Sequence, residues 1–236
     1  MFKAVIFDWD GTLADTKDVI VRLFRRVLSE VNCAVSDGFI ERRIGIGTRR
    51  IFEEALRRHG VMLDDEELKR LIERKVDLQA KLTGTVDLFE GAVELLDTLH
   101  GKVRVGLATM SPRKVINKLL SEKSLKRYFD AVVTADDVLR PKPDPEIFLS
   151  LARMLNVRPE CCLVVEDSIF GVRAARAAKM GCVAVASGAY AREELEEEGA
   201  DLVVDSLKEG GEKILKLLFK EKGHKSMDKP EGTCMR

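Results

Sequence analysis

The sequence predicts a doubly wound α/β core whose parallel sheet is interrupted, just after its first strand, by an inserted all-helical segment. Three observations lead to that class. A short apolar run, Ala4–Phe7, ends at Asp8 and is followed by the turn residues Gly11-Thr12. From about residue 16 to residue 82, apolar side chains recur at helical spacing, and after Gly84 short valine-rich runs alternate with helical segments.

The opening run is bounded by a turn signal and reads as a buried strand that delivers Asp8 at its carboxyl end, where open α/β sheets place their chemistry. In the helical stretch, Val19, Leu23, Phe24, Val27 and Leu28 share one face, as do Ile51, Phe52, Ala55 and Leu56. No convincing strand interrupts them. The alternation resumes with a helix over Ala92–Leu99, a strand over 103–108 and the polar turn Thr109-Met110-Ser111-Pro112. Ser111 is expected to cap the next helix and Pro112 to enter its first turn.

The runs 131–134, 162–165, 182–185 and Leu202–Val204 read as further strands. Helical segments between them, such as 146–155 and 171–179, imply right-handed crossovers and a parallel, Rossmann-like sheet. The expected organisation is an α/β core of residues 1–15 and 84–220, a helical cap of residues 16–83, and a polar, disordered tail over residues 221–236.

Composition excludes several partners. The chain of 236 residues is 45% hydrophobic, enough to bury a sizeable core, and its forty basic and forty acidic side chains cancel. No net positive field exists to hold nucleic acid or an anionic membrane surface. No apolar run approaches the roughly 20 residues that span a bilayer, and Met1-Phe2-Lys3 lacks a secretory pattern, so a cytoplasmic protein is expected, with a monomer as the default. The five cysteines lack zinc-site spacing and are expected to be small buried hydrophobes. One Gln and three Asn beside abundant Glu, Lys and Arg is the bias of proteins that withstand heat, which points to a thermophilic source.

The segment Asp8-Trp9-Asp10-Gly11-Thr12 carries the most chemistry. Two carboxylates one residue apart at a strand end repel each other, and a divalent cation sharing the pocket with a phosphoryl group offsets that charge. One carboxylate can then attack phosphorus while the other handles protons. The plainer alternative is an Asp-Gly turn. Three further places bear on the choice. Thr109, with the adjacent Met110 amide, could hold phosphate oxygens near a helix start, or simply cap that helix. Lys142, within Arg140-Pro141-Lys142-Pro143-Asp144-Pro145, has a backbone restricted by three prolines and could neutralise a nucleophile, or stand solvated in a stiff turn. Glu166-Asp167-Ser168, after a buried strand, suits a hard cation or the capping of the next helix.

In that order and at those spacings, Asp8-Trp9-Asp10-Gly11-Thr12, Thr109, Lys142 and Glu166-Asp167 resemble the four signature motifs of the haloacid dehalogenase-like superfamily, over about residues 1–218. The resemblance implies a phosphoric monoester hydrolase with Asp8 as nucleophile and Asp10 as general acid and base. It implies phosphate binding by Thr109, Met110 and Lys142, and Mg²⁺ held by Asp8, Asp10 through its backbone carbonyl, and Asp167, with Glu166 as a direct or outer ligand. The helical insertion resembles a type 1 cap, as in phosphoglycolate phosphatase and β-phosphoglucomutase, and the substrate is then a small phosphorylated metabolite. Thr16, Arg49 and Lys75 are the cap residues expected to meet it, Arg49 from the stretch Gly45-Ile46-Gly47-Thr48-Arg49.

Asp10 separates reactions within the superfamily, since dehalogenases lack this second carboxylate and ion-pumping ATPases replace it with Thr. A β-phosphoglucomutase-like isomerase is the nearer rival, although it carries a cap histidine near position 20 where this chain has Ile20. A catalytically silent phosphometabolite-binding protein is the third class; it has little need for a nucleophile beside a general acid.

Overall fold

The computed structural model describes residues 1–219. The first strand, β1 (Ala4–Phe7), is fully buried, as its β-branched and aromatic run requires. A two-residue strand, β2 (Ala14–Asp15), leads into four helices: α1 (Lys17–Ser29), α2 (Asp37–Glu41), α3 (Thr48–Arg58) and α4 (Asp65–Lys81). Their apolar faces meet in a core of their own around Phe24, Val27, Leu28, Ile40, Phe52 and Ala55, with the Phe24 and Phe52 rings 5.0 Å apart. Ile20 is part of that core and is buried. At the start of α4, Asp64 accepts the Glu67 N–H while Glu67 accepts the Asp64 N–H, satisfying donors that a helix start otherwise leaves open.

The chain returns through β3 (Asp87–Leu88), which pairs antiparallel with β2, so departure and re-entry are stitched into one ribbon. Then follow α5 (Ala92–Leu99), β4 (Arg104–Ala108), α6 (Arg113–Glu122), β5 (Ala131–Val133), α7 (Glu146–Met154), β6 (Cys162–Glu166), α8 (Ile169–Ala177), β7 (Gly181–Val185), α9 (Arg192–Glu197), β8 (Leu202–Val204) and α10 (Leu207–Phe219). The six-stranded sheet runs β5-β4-β1-β6-β7-β8, with every pair parallel. This is the doubly wound, Rossmann-like α/β class that the sequence predicts.

Alternate residues of β1 explain the two layers. Val5 and Phe7 pack with Leu96, Ile116, Leu119 and Ile214 on one face, whereas Ala4 and Ile6 pack with Phe148, Leu151 and Val172 on the other. Truncating a side chain as central as Phe7 to Ala is expected to cost about 3–5 kcal/mol. From β1 the chain continues to β4 and β5 on one side, then crosses to β6 on the other. The carboxyl end of β1 is therefore the point where the winding reverses and a crevice opens.

Element boundaries shift slightly from the sequence reading. The expected helix over 171–179 begins at Ile169 because the Ser168 hydroxyl accepts the Gly171 N–H at 3.1 Å. Cys33, Cys162 and Cys182 are buried free thiols, as small hydrophobes should be, and Cys161 is also buried. Among the described residues no helix is long and apolar enough to cross a membrane. The expected tail over residues 221–236, with Cys234, lies outside the described residues.

Candidate active site

Asp8 is the first residue beyond β1, tied by its N–H to Val165 O of β6 at 3.0 Å. Its carboxylate is buried, and the Lys142 ammonium donates to Oδ1 at 2.7 Å. Lys142 is 0% exposed, so the solvated-lysine alternative does not describe this chain. It also donates to Glu166 Oε1 at 2.5 Å and lies 5.0 Å from the centre of the Phe148 ring. Burial disfavours its charge, but the pairs with Asp8 and Glu166 outweigh burial, raise its pKa and keep it an ammonium.

Asp10 is clamped by hydroxyls. Thr16 donates to Oδ1 at 2.8 Å and Ser111 to Oδ2 at 2.6 Å, with the Thr109 hydroxyl 3.4 Å from Oδ2. One expectation changes as a result. Ser111 does not cap α6: that helix starts after an extended Pro112, and the Arg113 N–H is met by Asp136 Oδ2 at 2.6 Å. A buried carboxylate is the stronger acceptor for a hydroxyl proton, and it draws Ser111 away. Thr16, one of the residues expected to meet substrate, is buried and directs its hydroxyl to Asp10. Thr109 also accepts the Ser111 N–H at 3.0 Å, which folds the loop back over Asp10 and places Met110 at its apex.

Asp167 faces the same crevice, and the Thr12 hydroxyl donates to its Oδ1 at 3.1 Å. Gly11, at φ +86°, and Gly188 flank it; a Cβ on either would collide with the carboxylate. Of the two roles expected of Glu166, direct or outer metal ligand, its hydrogen bonds suit the outer one. Its Oε2 accepts the Asp167 N–H, the Ser168 N–H and the Ser168 hydroxyl, each at 2.9 Å, while Oε1 takes Lys142. With both oxygens committed, Glu166 anchors the lysine and the start of α8.

From the helical segment, α4 turns Lys75 inward. It is 2% exposed, its ammonium lies 2.6 Å from Gln79 Oε1 and 4.6 Å from the centre of the Phe24 ring. Burial pushes its pKa down to about 8, opposed by the negative charge of Asp10. Gln79 escaped the sequence reading; its signal was its place one helical turn after Lys75 as the only glutamine in the chain. Arg49 is not brought to the carboxylates. Its side chain is half-exposed, pairs with Glu53 and Asp65 at 3.3 Å each, and lines a cleft of 1410 Å³ between the helical segment and the core. Neighbouring carboxylates on its own surface neutralise it there.

The charge balance tests the expected metal. Burial, with Glu166 and Asp10 adding to it against the pull of Lys142, pushes the Asp8 carboxyl up to about 8. Burial and the charges of Glu166 and Asp8 likewise raise Asp167. The crevice thus holds more carboxylate than its cations offset, and a divalent ion held there would favour the ionised form of both groups. Among the described residues no three His, Cys, Asp or Glu side chains form a ready cage. Mg²⁺ needs none, because it uses one or two carboxylates with water and substrate phosphate as the remaining ligands. The residues present fit that ion.

The site is thus that of an enzyme built on crowded carboxylates and a buried lysine at the switch of a doubly wound sheet. The family described as haloacid dehalogenase-like hydrolase matches residues 5–185, and this chain belongs to it. The chain is 33% identical over 184 residues to the fructose-1-phosphate phosphatase YqaB of Escherichia coli, covering 78% of this chain and 96% of that protein. It is 32% identical over 226 residues to the β-phosphoglucomutase of Bacillus subtilis, covering 93% and 95%. A solved hydrolase from Pseudomonas syringae superposes with a TM-score of 0.84 at 30% identity, covering 91% of this chain and 99% of that one. The expectation of a phosphoric monoester hydrolase holds at the level of this family.

Proposed function

We propose that the chain is a Mg²⁺-dependent phosphatase that hydrolyses a small phosphorylated metabolite through an aspartyl-phosphate. The observation that carries this reading is the buried contact between Lys142 and Asp8 at 2.7 Å, beside an Asp10 held by Thr16 and Ser111. A cation on the nucleophile and an oriented second carboxylate are what phosphoryl transfer followed by hydrolysis demands.

In this reading an Asp8 oxygen attacks phosphorus while the bond to the leaving oxygen breaks, and Asp10 gives that oxygen its proton. Asp10 then takes a proton from water as the water attacks the phosphorus of the aspartyl-phosphate, releasing inorganic phosphate and restoring Asp8. Lys142, the Thr109 hydroxyl and the Met110 amide hold the phosphoryl oxygens. Asp8, the Asp10 carbonyl and Asp167 would hold Mg²⁺, which would neutralise carboxylate and phosphate charge so that they can approach. Residues 16–83 act as the cap that excludes water, with Lys75 meeting the substrate. The cap comes from the same chain, so a monomer has a complete site, and ionised phosphate esters place the enzyme in the cytoplasm.

Phosphate release from a panel of phosphorylated sugars, glycolate, nucleotides and pyrophosphate, with and without Mg²⁺, tests the reading. Release that depends on Mg²⁺ and exceeds the rate of Asp8→Asn supports it; release no faster than that variant contradicts it. The near full-length match to a β-phosphoglucomutase favours one second reading, an isomerase. It predicts conversion of β-glucose 1-phosphate to the 6-phosphate with a bisphosphate primer, and release of phosphate without isomerised sugar rejects it. The apolar Ile20 at the position of the mutase's cap histidine favours hydrolysis.

A further inference from the structure

The catalytic groups are shut away, with Asp8, Asp10 and Lys142 only 3%, 7% and 0% exposed. The 1410 Å³ cleft runs close by, yet none of Asp8, Asp10, Lys142 or Asp167 lines it. Met110 reaches both. Its neighbours Thr109 and Ser111 touch Asp10, while Met110 itself lines the cleft. The Met110 side chain is 8% exposed and spans the seam between the two halves of the molecule. A Cβ at Gly47, in the helical segment, would lie 3.1 Å from Met110 Cε and 3.8 Å from Pro141 Cβ, beside Lys142. Gly47 has φ +92°, a conformation that suits glycine, and its missing side chain lets the cap backbone close directly onto the methionine.

We infer that the Met110 side chain is the wall between the cleft and the catalytic centre, and that it sets the size of the alcohol whose phosphate ester the enzyme accepts. The inference rests on the phosphatase reading and goes beyond it. A phosphoryl group against Asp8 and Lys142 turns its leaving oxygen toward Asp10, so the alcohol emerges beside the loop that carries Thr109, Met110 and Ser111. Beyond Met110 the cleft offers apolar walls at Ile46, Ile72, Val76 and Val138. An unbranched thioether fills such an irregular seam and moves on its three rotatable bonds. With the wall in place compact alcohols fit; without it the cleft joins the site.

The test compares glycerol 2-phosphate, a compact ester, with 1-naphthyl phosphate, a bulky one, on wild type, Met110→Leu and Met110→Ala. The ratio of kcat/KM for two substrates on one protein is independent of how much of that protein is folded. Met110→Ala is expected to shift the ratio toward the bulky ester by about tenfold or more, since even one methylene in an apolar pocket is worth that much. Met110→Leu, of similar volume, should keep the wild-type ratio. In an Asp8→Asn background, dissociation constants for the same esters should shift in the same direction. Unchanged ratios in both turnover and binding overturn the wall and leave the phosphatase reading intact. Failure of wild type to exceed Asp8→Asn on these esters and on the whole metabolite panel sinks the phosphatase reading, and the binding ratio then decides the wall by itself.

Discussion

The Lys142 ammonium lies 2.5 Å from Glu166 Oε1, closer than its 2.7 Å to Asp8, so Glu166 holds the lysine, an arrangement that suits the outer of the two metal roles expected of it. Removing one partner of a buried pair leaves an uncompensated charge, and Glu166→Ala is expected to cost about 3–5 kcal/mol of stability. Asp167, with its oxygens less committed, should govern the ion. In Mg²⁺ titrations of activity, Asp167→Asn should raise the half-saturating concentration by tenfold or more, on the order of lost ligand or outer-sphere contacts, and by more than Glu166→Gln does. The reverse ranking would return Glu166 to the metal.

The hydroxyl clamp on Asp10 makes a kinetic prediction. Ser111→Ala and Thr16→Val should each lower kcat on alkyl phosphate esters by roughly 10–100-fold, part of the general-acid contribution. Loss on p-nitrophenyl phosphate should be smaller, because that leaving group needs little help from an acid. Equal losses on both ester types would mean that the hydroxyls serve the phosphoryl group and not Asp10.

Lys75 predicts a pH dependence. Its pKa falls from an ordinary 10.5 to about 8 in the folded protein, with burial as the main cause. Between those values the unfolded chain carries a proton that the native state has released, so this group makes stability rise with pH. Below about pH 8 the buried ammonium carries its full penalty, of order 3 kcal/mol. Chemical denaturation should therefore show Lys75→Met more stable than wild type at pH 7, with the difference shrinking as pH climbs above 8. Its KM should rise if Lys75 meets substrate. A difference that is constant with pH would show that Lys75 is not strained by burial.

Much of the architecture was legible because β1, β4, β6 and β7 are buried on both faces, which forces short continuous apolar runs that periodicity detects. The positions of Asp8, Asp10, Lys142 and Asp167 at strand ends and in a proline-stiffened loop could be read for the same reason. Partner choice could not. Whether Ser111 caps a helix or binds Asp10 depends on Asp136, 23 residues beyond Arg113, whose N–H it accepts to take over the helix start. Which of Glu166 and Asp167 is free to face a metal could not be read either, because adjacent carboxylates look alike in sequence, and only the fold shows that the Asp167 and Ser168 amides turn Glu166 back. The surface pairs of Arg49 with Glu53 and Asp65 could not be read either, because several acidic side chains compete for it.

The phosphatase reading requires Asp8 to become covalently phosphorylated. Incubating wild type with Mg²⁺ and a phosphate ester, quenching with borohydride, and mapping the peptide that contains Asp8 by mass spectrometry reads that step. Reduction of an acyl phosphate converts that aspartate to homoserine, so homoserine is expected at position 8, dependent on both Mg²⁺ and ester. An unmodified Asp8 in an enzyme that is demonstrably releasing phosphate would contradict it.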